Sequence, residues 1–291
     1  MTQPTTTRIS PRSPAPPRPG VPKTQSPPKN TESSRGFLGR SAIAGVVYGP
    51  SGVGKTSFGA EFPDAGFLID PQEDGILDLV EYGQCKKPRE VLKAENWEQL
   101  LSLCADVANR KYDIGTLVLD SATGFEKLCF HHHCRMYFDN DWSSKGFYSY
   151  QRGPKNAAKT DWPMLLDALN SVRESGINVI LMAHSTVKQF SNPEGADYDR
   201  YIPYLDGETW QQTHRWAQFV LFYNYHVSVE KEGVKKKANI ESEKRFLYTV
   251  RTAAYDAKNR HGLPPLIEAG SSGKEAYESF VSEFNKLKES V

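Results

Sequence analysis

Eight residues constrain this chain more than any others: Gly49-Pro50-Ser51-Gly52-Val53-Gly54-Lys55-Thr56. They follow a short apolar run, Ala42-Ile43-Ala44-Gly45-Val46-Val47-Tyr48, and lead into a predicted helix. Glycines at this spacing let the backbone curl until its N–H groups converge on one point, which Cβ atoms would obstruct. A helix starting where the turn ends adds its dipole. Such a cradle holds phosphate. Lys55 can reach the β- and γ-phosphates of a nucleotide and the Thr56 hydroxyl can ligate Mg²⁺. The expected ligands are therefore ATP and Mg²⁺, with Gly49 through Ser57 as the binding stretch.

The rest of the chain carries the pattern that such a turn needs. Phe67-Leu68-Ile69-Asp70, Thr116-Leu117-Val118-Leu119-Asp120 and Asn178-Val179-Ile180-Leu181-Met182-Ala183-His184 are apolar runs that each end in a polar residue. Helical stripes lie between them: Trp97, Leu100, Leu101, Cys104 and Val107, then Trp162, Leu165, Leu166, Leu169 and Val172. Strands separated by crossover helices predict an α/β fold, a mainly parallel central sheet covered on both faces. Beyond Trp216, Phe219–Val229 and Phe246–Arg251 read as hairpin or edge strands joined by the charged stretch Glu230–Lys244. Tyr277, Phe280, Val281, Phe284 and Leu287 make a C-terminal amphipathic helix. One domain over residues 37–291 is expected.

Composition sets the remaining bounds. The chain has 291 residues and a net charge of +1, which averages two unlike parts. Residues 1–36 carry Arg8, Arg12, Arg18, Lys23, Lys29 and Arg35 against Glu32 alone, a net +5, and leave −4 on the remainder. That segment is rich in Pro, Ser and Thr and reads as a disordered basic tail: a solvated leader, a tether, or an arm for an anionic partner. No apolar run has the roughly 18 residues of a membrane span, and no signal-peptide stretch opens the chain, so a cytoplasmic protein without a membrane partner is expected. The four cysteines show no CxxC spacing. Cys129, His131, His133 and Cys134 sit close in sequence, but no second ligand cluster follows, and a polar helix face is the preferred reading.

Hydrolysis needs more than a cradle. Asp120, ending an apolar strand, can hold Mg²⁺ beside Thr56, or cap the helix that follows; the two are compatible. Glu73 is the candidate base that orients attacking water, with Asp70 and Asp74 as rivals. His184 ends a parallel strand at the edge where open α/β sheets bind ligands, and can sense the γ-phosphate or simply be a satisfied strand-end histidine.

The loop, Asp120-Ser121, the strand ending at His184 and the late segment Tyr255-Asp256-Ala257-Lys258-Asn259-Arg260-His261-Gly262 together resemble RecA-like P-loop ATPases over most of residues 40–270. The resemblance is nearest to phage-type ATP-binding proteins of single-strand annealing and recombination. It implies a RecA-like core, Glu73 as catalytic base and His184 as sensor, at a place where RecA itself has Gln. Lys258 and Arg260 match a RadA-type motif whose cations reach a neighbouring subunit's ATP, and their alternative is an exposed basic turn. The implied active species is a homo-oligomeric ring or filament with its ATP site between protomers, acting on single-stranded DNA with a single-strand-binding or recombination protein in a prokaryotic cytoplasm. DNA candidates are the polar stretches Asp139–Lys159, with Lys145, Tyr148, Tyr150, Arg152, Lys155 and Lys159, and Val187–Trp210, with Lys188, Phe190, Arg200 and Tyr201. Lys235-Lys236-Lys237 reads first as a solvated hairpin tip. The competing class is a nucleotide-gated assembly ATPase without DNA. A small-molecule phosphotransferase would need an Arg-rich lid, and the sequence has no such cluster.

Overall fold

Strands buried on both faces must carry apolar runs, and the sequence supplies five such runs in a parallel array whose sixth member, an edge strand, is polar at both ends and not buried. The computed structural model of the chain describes residues 42–193, 195–232 and 235–289. The tail expected over residues 1–36 lies outside them. The described residues belong to one compact unit bounded by Thr31 and Val291.

In chain order the elements begin β1 (Ala44–Gly49), α1 (Lys55–Ala60), β2 (Ala65–Ile69), α2 (Gly75–Glu81), β3 (Glu90–Lys93), α3 (Trp97–Ala108) and β4 (Thr116–Asp120). There follow α4 (Ala122–Tyr137), α5 (Arg152–Thr160), α6 (Trp162–Glu174), β5 (Asn178–Phe190), β6 (Tyr198–Pro203) and α7 (Gly207–Trp216). The chain closes with β7 (Phe219–Glu232), β8 (Lys235–Tyr248), β9 (Lys258–Asn259), β10 (Leu266–Gly270) and α8 (Gly273–Glu289). The sheet order is β10-β8-β7-β1-β5-β4-β2-β3. From β7 to β3 every pairing is parallel. β8 and β10 add antiparallel strands at one edge, as expected for the C-terminal part.

Residue alternation along each strand divides the core into two layers. Val46, Leu119, Leu181 and Phe222 face α3, α4, α6 and α7, where Trp97, Phe125, Trp162 and Trp210 pack. Val47, Val118, Ile180 and Leu221 face α1, α2 and α8, where Phe58, Ile76 and Phe280 pack. Among the described residues no helix is long and apolar enough to cross a membrane.

Three expectations need correction. The charged stretch Glu230–Lys244 is not a connection: β7 and β8 pair from Phe222↔Tyr248 out to Glu232↔Lys235, so the hairpin swallows it. Backbone pairing between long neighbours outweighs the low strand propensity of its lysines and glutamates. The two polar stretches expected to meet DNA, Asp139–Lys159 and Val187–Trp210, are not open loops but hold most of α5, all of β6 and the first turn of α7, short elements that carry little periodicity of their own. Arg200, expected on a DNA surface, is 5% exposed, with its guanidinium over the Phe190 and Tyr198 rings and Nε donating to Ala253 O at 3.1 Å.

Phe280 fixes α8 to the sheet. It is fully buried against Phe58, Phe219 and Phe284. Phe280→Ala is expected to lower unfolding free energy by about 3–5 kcal/mol in urea titration. A loss under about 1 kcal/mol would mean that α8 docks otherwise.

Candidate nucleotide site

β1 is bonded in parallel on both edges, to β5 through Gly49↔His184 and to β7 through Tyr48↔Phe222. The loop therefore leaves the centre of the sheet. At Gly49 a Cβ would stand 2.1 Å from Tyr223 O, so only glycine lets β7 lie this close. Gly52 and Gly54 take φ of 77° and 102°, which L-residues avoid. Pro50 and Ser51 open the turn, the buried Val53 side chain anchors it in the α1 layer, and α1 starts at Lys55. Nine residues, Gly49 to Ser57, thus form the curled strand-to-helix turn that the motif predicts.

Lys55 is 7% exposed, and its ammonium folds back onto the carbonyls of Gly49 and Pro50 at 3.0 and 2.9 Å. Burial lowers its pKa, and the nearby Asp120 and Glu73 carboxylates oppose that shift. Thr56 Oγ1 donates to Asp120 Oδ2 at 2.7 Å. Burial raises the Asp120 pKa, while the Thr56 bond works the other way. Ser121, not Asp120, caps α4, its Oγ accepting from Gly124 N at 3.3 Å. The Asp120 carboxylate is thereby left to face Thr56. A hydroxyl and a carboxylate in contact at the foot of a phosphate cradle are hard oxygen donors suited to Mg²⁺, so this donor set fits that ion.

The three rival carboxylates separate cleanly. Asp70 is buried and accepts from the amides of Gln72 and Ser121 at 2.9 and 3.2 Å, which brackets the end of β4. Asp74 is exposed where α2 begins. Glu73 alone of the three lines the cavity with Lys55, Thr56, Asp120 and His184, a space of about 570 Å³. Its Oε1 meets His184 Nε2 at 2.8 Å.

Lys258 and Arg260 are not in this cavity. β9 pairs with Phe219 and Val220, beside the start of β1, and Arg260 N donates to Gln218 O at 3.3 Å. That is the opposite edge of the sheet from Gly49, about 16 Å away at 3.3 Å per strand residue. Lys258 Nζ caps α7, donating to the carbonyls of His214 and Arg215, while Arg260 is exposed. Cys129, His133 and Cys134 are buried, with His133 Nδ1 against Asp161 Oδ2 at 2.6 Å, and among the described residues no group of His, Cys, Asp or Glu is arranged to hold a metal.

Sequence reading missed two features. Arg245, from β8, reaches the loop and lines the cavity with the Ser271-Ser272-Gly273 turn. Ser272 and Glu275 do show the S-x-x-E pattern of a helix start, but nothing along the chain ties that turn to Val53. Tyr48 is the other. Its hydroxyl donates to Asp256 O at 2.6 Å and lies 3.1 Å from Tyr201 O, so the strand feeding the loop touches both the β6 hairpin and the segment before β9.

Among known protein families, the model described as an AAA domain matches residues 41–261, more than half of the chain. No curated protein matches the chain in sequence.

The His184 bond holds the Glu73 carboxyl below its ordinary 4.5. A depressed acid favours the fold above its unfolded pKa, and that contribution disappears as pH falls through the folded value. Glu73→Gln is expected to cost no more than about 1 kcal/mol near pH 7, shrinking to nothing toward about pH 3. Denaturant unfolding of both proteins across that range measures it, and a difference independent of pH would remove the linkage.

Proposed function

The chain belongs to the AAA-domain family, and from that premise we propose that it is a Mg²⁺-dependent ATPase whose turnover is coupled to single-stranded DNA in annealing or recombination of the phage type. The observation that carries the ATPase reading is the meeting of Thr56 and Asp120 at 2.7 Å beneath the loop, with Glu73 in the same cavity. Bound there, Mg²⁺ supplies neutralisation of charge on the β- and γ-oxygens. Lys55 exchanges the Gly49 and Pro50 carbonyls for phosphate oxygens, and Thr56 and Asp120 hold the metal. Glu73 orients the attacking water and accepts its proton, and His184 sets the direction of the Glu73 carboxylate.

The DNA part rests on surface chemistry and connectivity. β5 runs from His184 straight into the β5–β6 hairpin, through exposed Lys188 and on to the return strand with Tyr201. Near α5, Lys145, Arg152, Lys155 and Lys159 are exposed beside Tyr148 and Tyr150, the latter 92% exposed. Cations interleaved with open rings suit a strand whose bases stack and whose phosphates need neutralising. Arg200 has no part in it, being buried. Lys55→Ala is expected to reduce ATP hydrolysis at least about 100-fold, and single-stranded DNA to raise the parent's rate. An unchanged Lys55→Ala rate sinks the site assignment. An intact ATPase indifferent to DNA at low salt leaves the nucleotide-gated assembly reading in its place.

Arg260, exposed at the far edge of the sheet, supports an ATP site completed by a neighbouring protomer, with Lys258 as the motif's second cation held back on α7. Arg260→Ala and Lys55→Ala proteins, each inactive alone, are expected to regain part of the parent ATPase when mixed, because one kind of mixed contact joins an intact loop to an intact arginine. No recovery on mixing, with both variants folded, argues against donation in trans.

A further inference from the structure

The cavity has two walls that no hydrogen bond of the P-loop motif itself connects. One is the loop. The other is the turn leading into α8, which lies beyond the stretch matched by the family model. That turn is built locally: Ser272 Oγ accepts from Glu275 N at 3.1 Å, and Glu275 Oε2 accepts from Ser271 N at 2.9 Å, a reciprocal cap.

Arg245 joins the two walls. Its Nη1 donates to Val53 O at 2.9 Å and its Nε to Gly270 O at 3.4 Å. The guanidinium lies over the crown of the loop, since a Cβ added at Gly54 would stand 2.5 Å from Nη1. Below it Gly273 packs so tightly on Ser57 that a Cβ there would meet the Ser57 backbone at 2.5 Å. The strand carrying Arg245 is held from both sides, by β7 at Tyr225 and by β10 at Gly270. Nη2 makes no hydrogen bond among the described residues, so the guanidinium of this cavity-lining residue keeps donors available.

We propose that Arg245 is a positioning residue for the nucleotide, which ties the loop's crown to the Gly270–Gly273 turn so that phosphate binding and the docking of α8 form one equilibrium. This rests on the nucleotide reading above. The carbonyl of Val53, held outward by the guanidinium, keeps the neighbouring amides turned toward the phosphates. A phosphate chain in the loop in turn adds a negative charge beside the same fork, which strengthens its hold on Gly270. Lysine cannot substitute, because one ammonium does not span both carbonyls in a fixed plane.

The test uses the full chain with ADP and Mg²⁺, binding measured by calorimetry and amide hydrogen exchange followed over residues 266–284. In the parent, ADP is expected to slow exchange there. Arg245→Lys and Arg245→Ala are expected to weaken ADP binding roughly 10- to 100-fold, and to abolish the slowing even at saturating ADP. If Arg245→Ala does not fold, Arg245→Lys decides. Parent-like affinity in a folded variant, or slowing that survives the substitution, overturns the proposal. A parent that binds no ADP at all defeats the nucleotide reading itself and this proposal with it, whereas a binding parent with indifferent variants defeats only the role of Arg245.

Discussion

Everything in the site follows from β1 being hydrogen-bonded on both edges. A strand held by β5 on one side and β7 on the other has no freedom at its end, so the turn that begins at Gly49 starts from a fixed point and direction. The same pairing sets His184 level with Gly49 and brings the Tyr223 carbonyl up to the glycine. β4 and β2 extend the array, so that Asp120 ends β4 level with Ile69 and Asp70 follows one residue on, its amide donating to the Asp120 carbonyl. Site residues drawn from the ends of four strands, β1, β2, β4 and β5, become neighbours because parallel strands end together at the carboxyl edge.

That edge is electrostatically costly. Lys55 and Asp120 are each 7% exposed, and burial pushes both toward their neutral forms. Their mutual attraction and the Thr56 bond offset only part of the desolvation. A group of buried charges that satisfies itself incompletely is stabilised by any ligand that completes it. Phosphate oxygens would complete Lys55, and a divalent cation would complete Asp120. Glu73 is different. At the cavity rim it has a partner of its own in His184, so its carboxylate is favoured without any ligand.

Much of this was legible in the chain because the informative signals were local. The loop, the Thr116–Asp120 strand and the Trp97 and Trp162 helices are each written in consecutive or periodic residues, and they occur where periodicity puts them. Contacts between distant segments were not legible. Arg245 is 192 positions from Val53, and no spacing rule spans that gap. Arg200 shows the converse failure: in sequence it is one more cation among aromatics, and only the folded hairpin reveals those rings as its burial partners. Asp70, Glu73 and Asp74 could be ranked only by which carboxylate faces the cavity, since three acids within five residues look alike along a chain.

Sheet polarity also bears on how copies of this chain would meet. Arg245 serves its own loop at the carboxyl edge, while Arg260 sits at the amino edge beside the start of β1. The two ends belong to different surfaces of one protomer. An isologous dimer buries the same surface on both copies, whereas a contact between Arg260 and another loop joins unlike surfaces. Such a contact is heterologous, and repeating it gives a ring if the rotation closes and a filament if it does not. In that arrangement each loop would have one arginine from its own chain fixing its crown and one from a neighbour facing its phosphates, with Tyr48 as the joint between the strand that feeds the loop and the segment that carries Arg260 outward.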